Sequence, residues 1–459
     1  MGTILFAVFA AMEILLTVMS CTKYRNLWYR NRTFFCGAEF IIMLFVMLLP
    51  VTGQKWRFTG CLVIFGIRLA ISFITYLIKR RGTAKEKTKA KMIVGAVMNT
   101  ILIGFSLFPA FVFTGYSGLK TSGQYKVKET QAILTDNSRL ETHENDSSNR
   151  EVPIHFYYPD GDVVNCPLVV FAHGSFGYYQ SNSSLYAELA SNGYVVASID
   201  HPYYAFFTKD TDGKTIIVDM EFMKTAIDIQ NSSDFTEAEN VYNVECEWMS
   251  VRTADENFVL DTIKTAKNSG SLDTAWYTKS DDVKAEILSV LEMTDTEKIG
   301  LTGHSIGGAA AVQLGRERDD ITAVVDIDGT MLGEQISFSN GKTNYNPEPY
   351  PIPILSLDNA NHWQSYVDGL DESTDYVNKY LLDNAVDGRE AHFDGTEHMD
   401  FTDLPLLSPT LSKMLGKGSV DSSEFIPEIN RIILNYFNYY LKGEGKPNIE
   451  PWNTQTAEK

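Results

Sequence analysis

Four uninterrupted apolar stretches crowd the start of the chain: Gly2 to Ser20, Phe34 to Thr52, Phe58 to Ile78 and Met92 to Tyr116. At 1.5 Å per residue a helix needs about 20 residues to cross the hydrocarbon of a bilayer, and each stretch meets that length. Lipid offers no hydrogen-bond partner to a backbone, so a segment that crosses it must satisfy its own amides. Their length and composition predict four spanning helices. The first is a poor signal peptide, because it lacks a basic leader, carries Glu13 and is followed by further spans.

Loop charge predicts the orientation. Lys23, Arg25, Arg30 and Arg32 lie between spans one and two, and Lys79, Arg80, Arg81, Lys85, Lys87, Lys89 and Lys91 between spans three and four. The loop between them holds only Lys55 and Arg57. The first and third loops are therefore expected to be cytoplasmic, with the N-terminus and everything after residue 116 outside. Glu13 and Arg68 fall at similar depths, about 18 and 15 Å from the outer face by helical rise, and are expected to pair. Glu39 falls nearer the cytoplasmic side.

Residues 1–120 carry 15 Lys and Arg against 3 acidic residues, whereas the remainder carries 24 against 55. A basic apolar head joined to an acidic body describes a membrane anchor with a water-exposed domain. An acidic body also has no basic face to neutralise phosphates, which excludes nucleic acid as a partner. The domain expectation is a four-span region over 1–120, then an extracytoplasmic domain over 121–459. No metal-ligand spacing appears among the cysteines, and neither metal nor cofactor is expected. Cys166 and Cys246 are expected to be two buried free thiols, with a disulfide between them as the alternative in an oxidising compartment.

Past a linker at Ser117 to Gly123 the pattern changes. "YKVKETQAILTD" and "VPIHFYY" read as a hairpin around a long solvated loop. "PLVVFAHG", a helix near "SSLYAELASNG" and "YVVASIDHP" then give strand, helix and strand, with strands apolar throughout, as in a parallel sheet buried on both faces. Residues from about 203 to 250 break this rhythm as a cap-like insertion that ends in an acidic, weakly periodic stretch. Later strands are expected at "KIGLTG", "ITAVVDIDG", "PIPILSLD" and "REAHFDG", helices near "STDYVNKYLLDNA" and at "EFIPEINRIILNYFNYYLKG". The fold class is α/β, an α/β-hydrolase sheet preceded by a transmembrane region.

"KIGLTGHSIGGAAAVQL" places Ser305 between a strand and a helix. A nucleophile elbow has this order, and it needs small residues at Gly303 and Gly307 because strand and helix approach closely there. A serine nucleophile requires a base and an orienting carboxylate, which follow it in that order in this fold. Of the histidines after Ser305, His398 is preferred because its loop follows the last strand at the end where such sheets place their sites. His392 lies within that strand, and His362 is the third option. Asp328 and Asp358 end adjacent strands, and pattern alone does not separate them; Asp326 is expected to be structural. The N–H groups of Ile306 and Ser175 are the expected oxyanion donors, with His173 bracing the loop.

"FAHGSFG", "LASNGYVVASIDHPY", "GHSIGGAA", "DIDGTM" and "GTEHMDF", in that order between Tyr157 and Phe401, resemble the plasma-type platelet-activating factor acetylhydrolase family and its bacterial relatives. The resemblance implies Ser305 as nucleophile, His398 as base, Ser175 and Ile306 as oxyanion donors, and Asp328 rather than Asp358 as acid. Two departures stand out: "DGTM" lacks the tryptophan that the mammalian enzymes place after this aspartate, and a four-span anchor is foreign to that secreted family.

The expected activity is a membrane-anchored serine esterase or lipase acting on neutral short-acyl esters or short-chain and oxidised phospholipids. Tyr203, Tyr204, Phe206 and Phe207 are candidates for the acyl pocket, or for core packing under the insertion. An amidase or peptidase would use the same triad, and a catalytically silent binding module would carry the same motifs. A transporter is disfavoured, since four short-looped spans with one ion pair offer no pathway.

Overall fold

The computed structural model describes residues 1–22, 24–80, 87–116, 118–231, 238–368 and 376–449; Lys23, Arg81, Lys85, Ser117 and the first residues of the "STDYVNKYLLDNA" helix lie outside them. The chain divides into two compact units, one of Met1–Gly118 with Leu404–Met414, the other of Leu119–Asp403 with Leu415–Lys459.

In the first unit, α1 (Gly2–Thr22), α2 (Trp28–Leu48), α3 (Trp56–Arg80) and α4 (Lys89–Ser106) are long and apolar enough to cross a membrane. The second starts earlier than hydropathy alone predicts and stops before Pro50. The fourth stops at Ser106 rather than Tyr116, because Pro109 has no N–H to continue the ladder and instead opens a separate short helix, Phe108–Val112. Phe9, Met43, Phe58, Phe65 and Ile103 fill the space between the helices. The segment Leu404–Met414 joins this unit through hydrogen bonds from Thr114 N–H to the Leu407 carbonyl (2.7 Å) and from Ser408 Oγ to the Val112 carbonyl (2.7 Å). Local pattern gives no hint of that long-range packing.

Arg68 pairs with Glu13 as expected, but it also meets Glu39 at 3.0 Å, and Asn99 Nδ2 donates to the second Glu13 oxygen at 3.2 Å. Counting depth along each span misses this, because lateral packing of α2 against α3 brings Glu39 to the same arginine. One guanidinium thus serves two buried carboxylates. Arg68→Leu is expected to destabilise the unit by about 3 kcal/mol or more, since it leaves both anions uncompensated. The check is thermal unfolding in detergent; adding Glu13→Gln and Glu39→Gln should restore much of the loss.

The second unit is built on a sheet of nine strands among the described residues: β1 (Val127–Leu140), β2 (Asn149–Pro159), β3 (Cys166–Ala172), β4 (Val195–Ile199), β5 (Trp276–Tyr277), β6 (Thr294–His304), β7 (Ile321–Ile327), β8 (Ile354–Asn359) and β9 (Gly388–Phe393). Their order is β9-β8-β7-β6-β3-β4-β2-β1-β5. The run from β9 to β4 is parallel, and the β2, β1 and β5 edge is antiparallel.

Alternation along β3 explains the two-faced burial. Leu168 and Val170 enter one core with Val259, Leu260 and Ile263 of α6 (Ala238–Ser269), Ile287 and Val290 of α7 (Asp281–Met293), and Val312 of α8 (Ile306–Glu317). Val169 and Phe171 point the other way, into a core with Leu185 and Leu189 of α5 (Ser183–Ser191) and Phe425, Ile429 and Ile432 of α9 (Ser422–Phe437). Both faces are therefore dry, as apolar parallel strands require.

Three expectations need correction. The loop between β1 and β2 is shorter than predicted and partly buried: Arg150 donates to Glu141 and to Asp255, each at 2.7 Å. The acidic end of the 203–250 insertion is helical, since α6 begins at Ala238; the helix continues past it, where Arg252, Asp255 and Glu256 are buried among apolar residues. Cys166 and Cys246 are both free, but only Cys166 is buried. A further hairpin, Gln335–Ser339 with Lys342–Tyr345, was overlooked although "QISFS" alternates and Asn340-Gly341 supplies the turn.

Candidate active site

Ser305 sits between β6 and α8 with φ +58° and ψ −129°, a conformation that L-residues rarely adopt. Its N–H donates to the Ile327 carbonyl at 2.9 Å, tying the bend to the end of β7. The glycines explain how the bend closes. A Cβ at Gly303 would overlap the Gly307 backbone, and one at Gly307 would overlap the Ala172 carbonyl. Gly308, outside the Gly-x-Ser-x-Gly pattern, is equally constrained, because a Cβ there would strike Asp326 Oδ1. Gly308→Ala is expected to cost about 1–3 kcal/mol by overpacking, seen as a lower midpoint in chemical denaturation.

Asp328 follows β7 with φ +53° and is fully buried. Its Oδ2 receives His398 Nδ1 at 2.7 Å; its Oδ1 receives His362 Nδ1 at 3.2 Å and the Asn359 N–H at 2.8 Å, and Asn359 Nδ2 lies 3.0 Å from each oxygen. Burial alone would raise its pKa, but hydrogen bonds from His362 and His398 outweigh that and hold the carboxyl well below the usual range. Asp358 behaves oppositely: burial, then the Asp328 charge beside it, pushes its pKa well above the ordinary value. It accepts from Ser356 Oγ at 2.8 Å. Asp326 is raised for the same reasons and lies beneath the elbow.

His398 opens a helical turn, His398–Phe401, directly after β9, and remains about one-third exposed. The His304 ring packs 4.4 Å from it, and His304 Nε2 donates to the His398 carbonyl at 3.2 Å. Burial, then the neighbouring His398, lowers the His304 pKa to about 3, so this imidazole stays neutral. His392 lies on the edge strand against Glu390 and the Trp363 ring.

The loop after β3 is fastened from below. His173 Nδ1 donates to the Gly174 carbonyl at 2.7 Å, its Nε2 accepts from the His201 N–H at 3.3 Å, and Arg252 Nη1 donates to the His173 carbonyl at 2.7 Å. Phe176 takes φ +62°. Among the described residues the N–H groups of Ser175 and Ile306 have no hydrogen-bond partner, and the second is the unpaired first amide of a helix.

The four aromatic pocket candidates fall into two pairs, Tyr203 with Tyr204 in one cluster and Phe206 with Phe207 in ring contact. Tyr204 is buried with Val218 and Phe222, Tyr203 is half-buried with its hydroxyl on Glu144, and Phe206 and Phe207 are exposed. Trp248 of α6 packs against both the Tyr204 cluster and the group formed by Met249, Leu332 and Ile306 beside Ser305. Sequence reading passed over Trp248 and Met249; the "EWM" within the acidic stretch was the available signal.

A mostly parallel sheet with helices on both faces, carrying a strained serine at a strand–helix bend, defines an α/β-hydrolase. The chain belongs to the family described as platelet-activating factor acetylhydrolase, isoform II, whose family model matches residues 154–458. It is similar to the platelet-activating factor acetylhydrolase of Bos taurus (21% identity over 285 residues, 60% of this chain and 57% of that one). The Canis lupus familiaris protein of the same name is 23% identical over 286 residues, 60% of this chain and 57% of its own. The match thus spans little more than half of these relatives. Among solved structures, a ferulic acid esterase from Streptomyces cinnamoneus superposes with a TM-score of 0.51 at 20% identity, covering 73% of this chain and 96% of that one.

Proposed function

We propose that the chain is a membrane-anchored serine hydrolase of carboxylic esters, working through Ser305, His398 and Asp328. In this reading His398 Nε2 takes the proton of Ser305 as its oxygen attacks the ester carbonyl. Asp328, ionised and bound to Nδ1, keeps the imidazole in the tautomer whose lone pair faces the serine. The N–H groups of Ser175 and Ile306 receive the developing oxyanion. His398 then protonates the leaving alcohol, and water releases the acyl group by the same steps in reverse. The carrying observation is the 2.7 Å bond between His398 and an Asp328 that ends the strand whose last carbonyl holds the Ser305 amide.

The relatives' name supports short-acyl esters as substrates, and the apolar group around Trp248 and Met249 supports an acyl-side wall. The loop charges support a bilayer-embedded first unit with the N-terminus and hydrolase unit outside. A p-nitrophenyl ester series, acetyl-bearing and long-chain phospholipids, and matched anilides, assayed on the intact chain in detergent, test this. Turnover of short esters well above anilides is expected; preference for the anilides would favour an amidase, and no turnover a silent binding module.

A further inference from the structure

Asp328 is shared by two imidazoles, and only one of them is used by the proposed triad. His362 lies near the start of the helix Ala360–Asp368, with its N–H on Asn359 Oδ1 at 2.9 Å. Asn359 in turn donates through its backbone and side chain to Asp328, so a single residue fixes both the helix start and the carboxylate. One donor atom from each of Asp328, His362 and His398 lies within 4.8 Å of the others. Two imidazoles and a carboxylate are the donor set of three-ligand zinc sites, whose fourth position is taken by water. With zinc–ligand distances of about 2.0–2.1 Å, tetrahedral ligand atoms stand roughly 3.3 Å apart. Each imidazole stands near that spacing from its own oxygen of the carboxylate, His398 Nδ1 at 2.7 Å from Oδ2 and His362 Nδ1 at 3.2 Å from Oδ1.

We infer that Asp328, His362 and His398 form an inhibitory site for zinc or another nitrogen-seeking divalent transition metal. The inference rests on the triad reading above. Metal would take the place of the hydrogen now on each Nδ1, and that proton would move to Nε2 of the same ring, with no net proton released. His398 Nε2 would then carry hydrogen and have no lone pair for the Ser305 proton. The ion switches the base off and supplies no chemistry of its own. Calcium and magnesium, which prefer oxygen ligands, are excluded by the imidazoles.

The test has two independent readouts on the intact chain in detergent. Calorimetry with zinc chloride on Ser305→Ala should show one ion per chain, lost or weakened at least tenfold in Ser305→Ala with His362→Gln. In ester assays, micromolar zinc should slow the wild-type chain at least tenfold, reversibly with EDTA, whereas millimolar magnesium should not. The zinc inhibition constant of His362→Gln, measured against that variant's own metal-free rate, should rise at least tenfold. Zinc bound with unchanged affinity after His362→Gln, or ester turnover indifferent to zinc, would overturn the inference. Failure of the triad reading looks different: zinc binds in calorimetry, yet no Ser305-dependent turnover exists to inhibit.

Discussion

Ser305→Ala is expected to lower kcat toward p-nitrophenyl acetate at least about 10³-fold while leaving the thermal midpoint near the wild-type value. The size follows from how the groups act together. Without the hydroxyl no acyl-enzyme forms, so His398 and Asp328 have nothing to activate; only oxyanion stabilisation and binding of the ester remain. The midpoint should hold because the positive φ, not the hydroxyl, shapes the elbow, and alanine bears that φ about as well as serine does. A loss below tenfold would place the nucleophile elsewhere.

Asp328→Asn is expected to cost about 10³- to 10⁴-fold in kcat, because an amide can present its NH2 to His398 and favour the tautomer with hydrogen on Nε2. Asp358→Asn should cost far less, since burial, then the Asp328 charge, pushes the Asp358 pKa well above the ordinary value and so disfavours the anion that would orient a base. The two also predict opposite stability profiles. Asp328 has a depressed folded pKa, so it stabilises the native state above the unfolded value near 3.8, and that contribution is lost as pH falls below it. Asp358 has a raised folded pKa: the native state keeps a proton that the unfolded chain releases above about 3.8, so stability falls as pH climbs from there until the folded group ionises. Denaturation midpoints across pH should show Asp358→Asn losing that decline, gaining most on the alkaline side. Equal kinetic damage from both variants would make Asp358 a partner in the acid's role.

These contrasts mark where sequence stops being informative. The elbow is local chemistry, with a strand, glycines where side chains collide and a helix of small residues, so the bend at Ser305 was readable within seventeen residues. The position of His398 in the turn after the last strand was readable from the order of elements. Asp328 and Asp358 were not separable by pattern, since both end buried parallel strands; what separates them is Asn359 and two imidazoles converging on one and not the other. His362 reached the site through the start of a helix that its own strand ending dictates, which spacing does not encode. Trp248 was hidden for another reason: α6 buries Arg252, Asp255 and Glu256 beside its apolar residues, so its burial is not its hydrophobicity. In the first unit, counting residues along each helix did not give the neighbour across the bundle, so Glu39 was placed without its arginine.

The most direct test of the account is covalent. The intact chain in detergent, treated with a fluorophosphonate probe, digested and mapped by mass spectrometry, should carry one adduct, on Ser305, and His398→Ala should slow its formation at least about 100-fold. An adduct on any other residue, or labelling of Ser305 indifferent to the loss of His398, would contradict it.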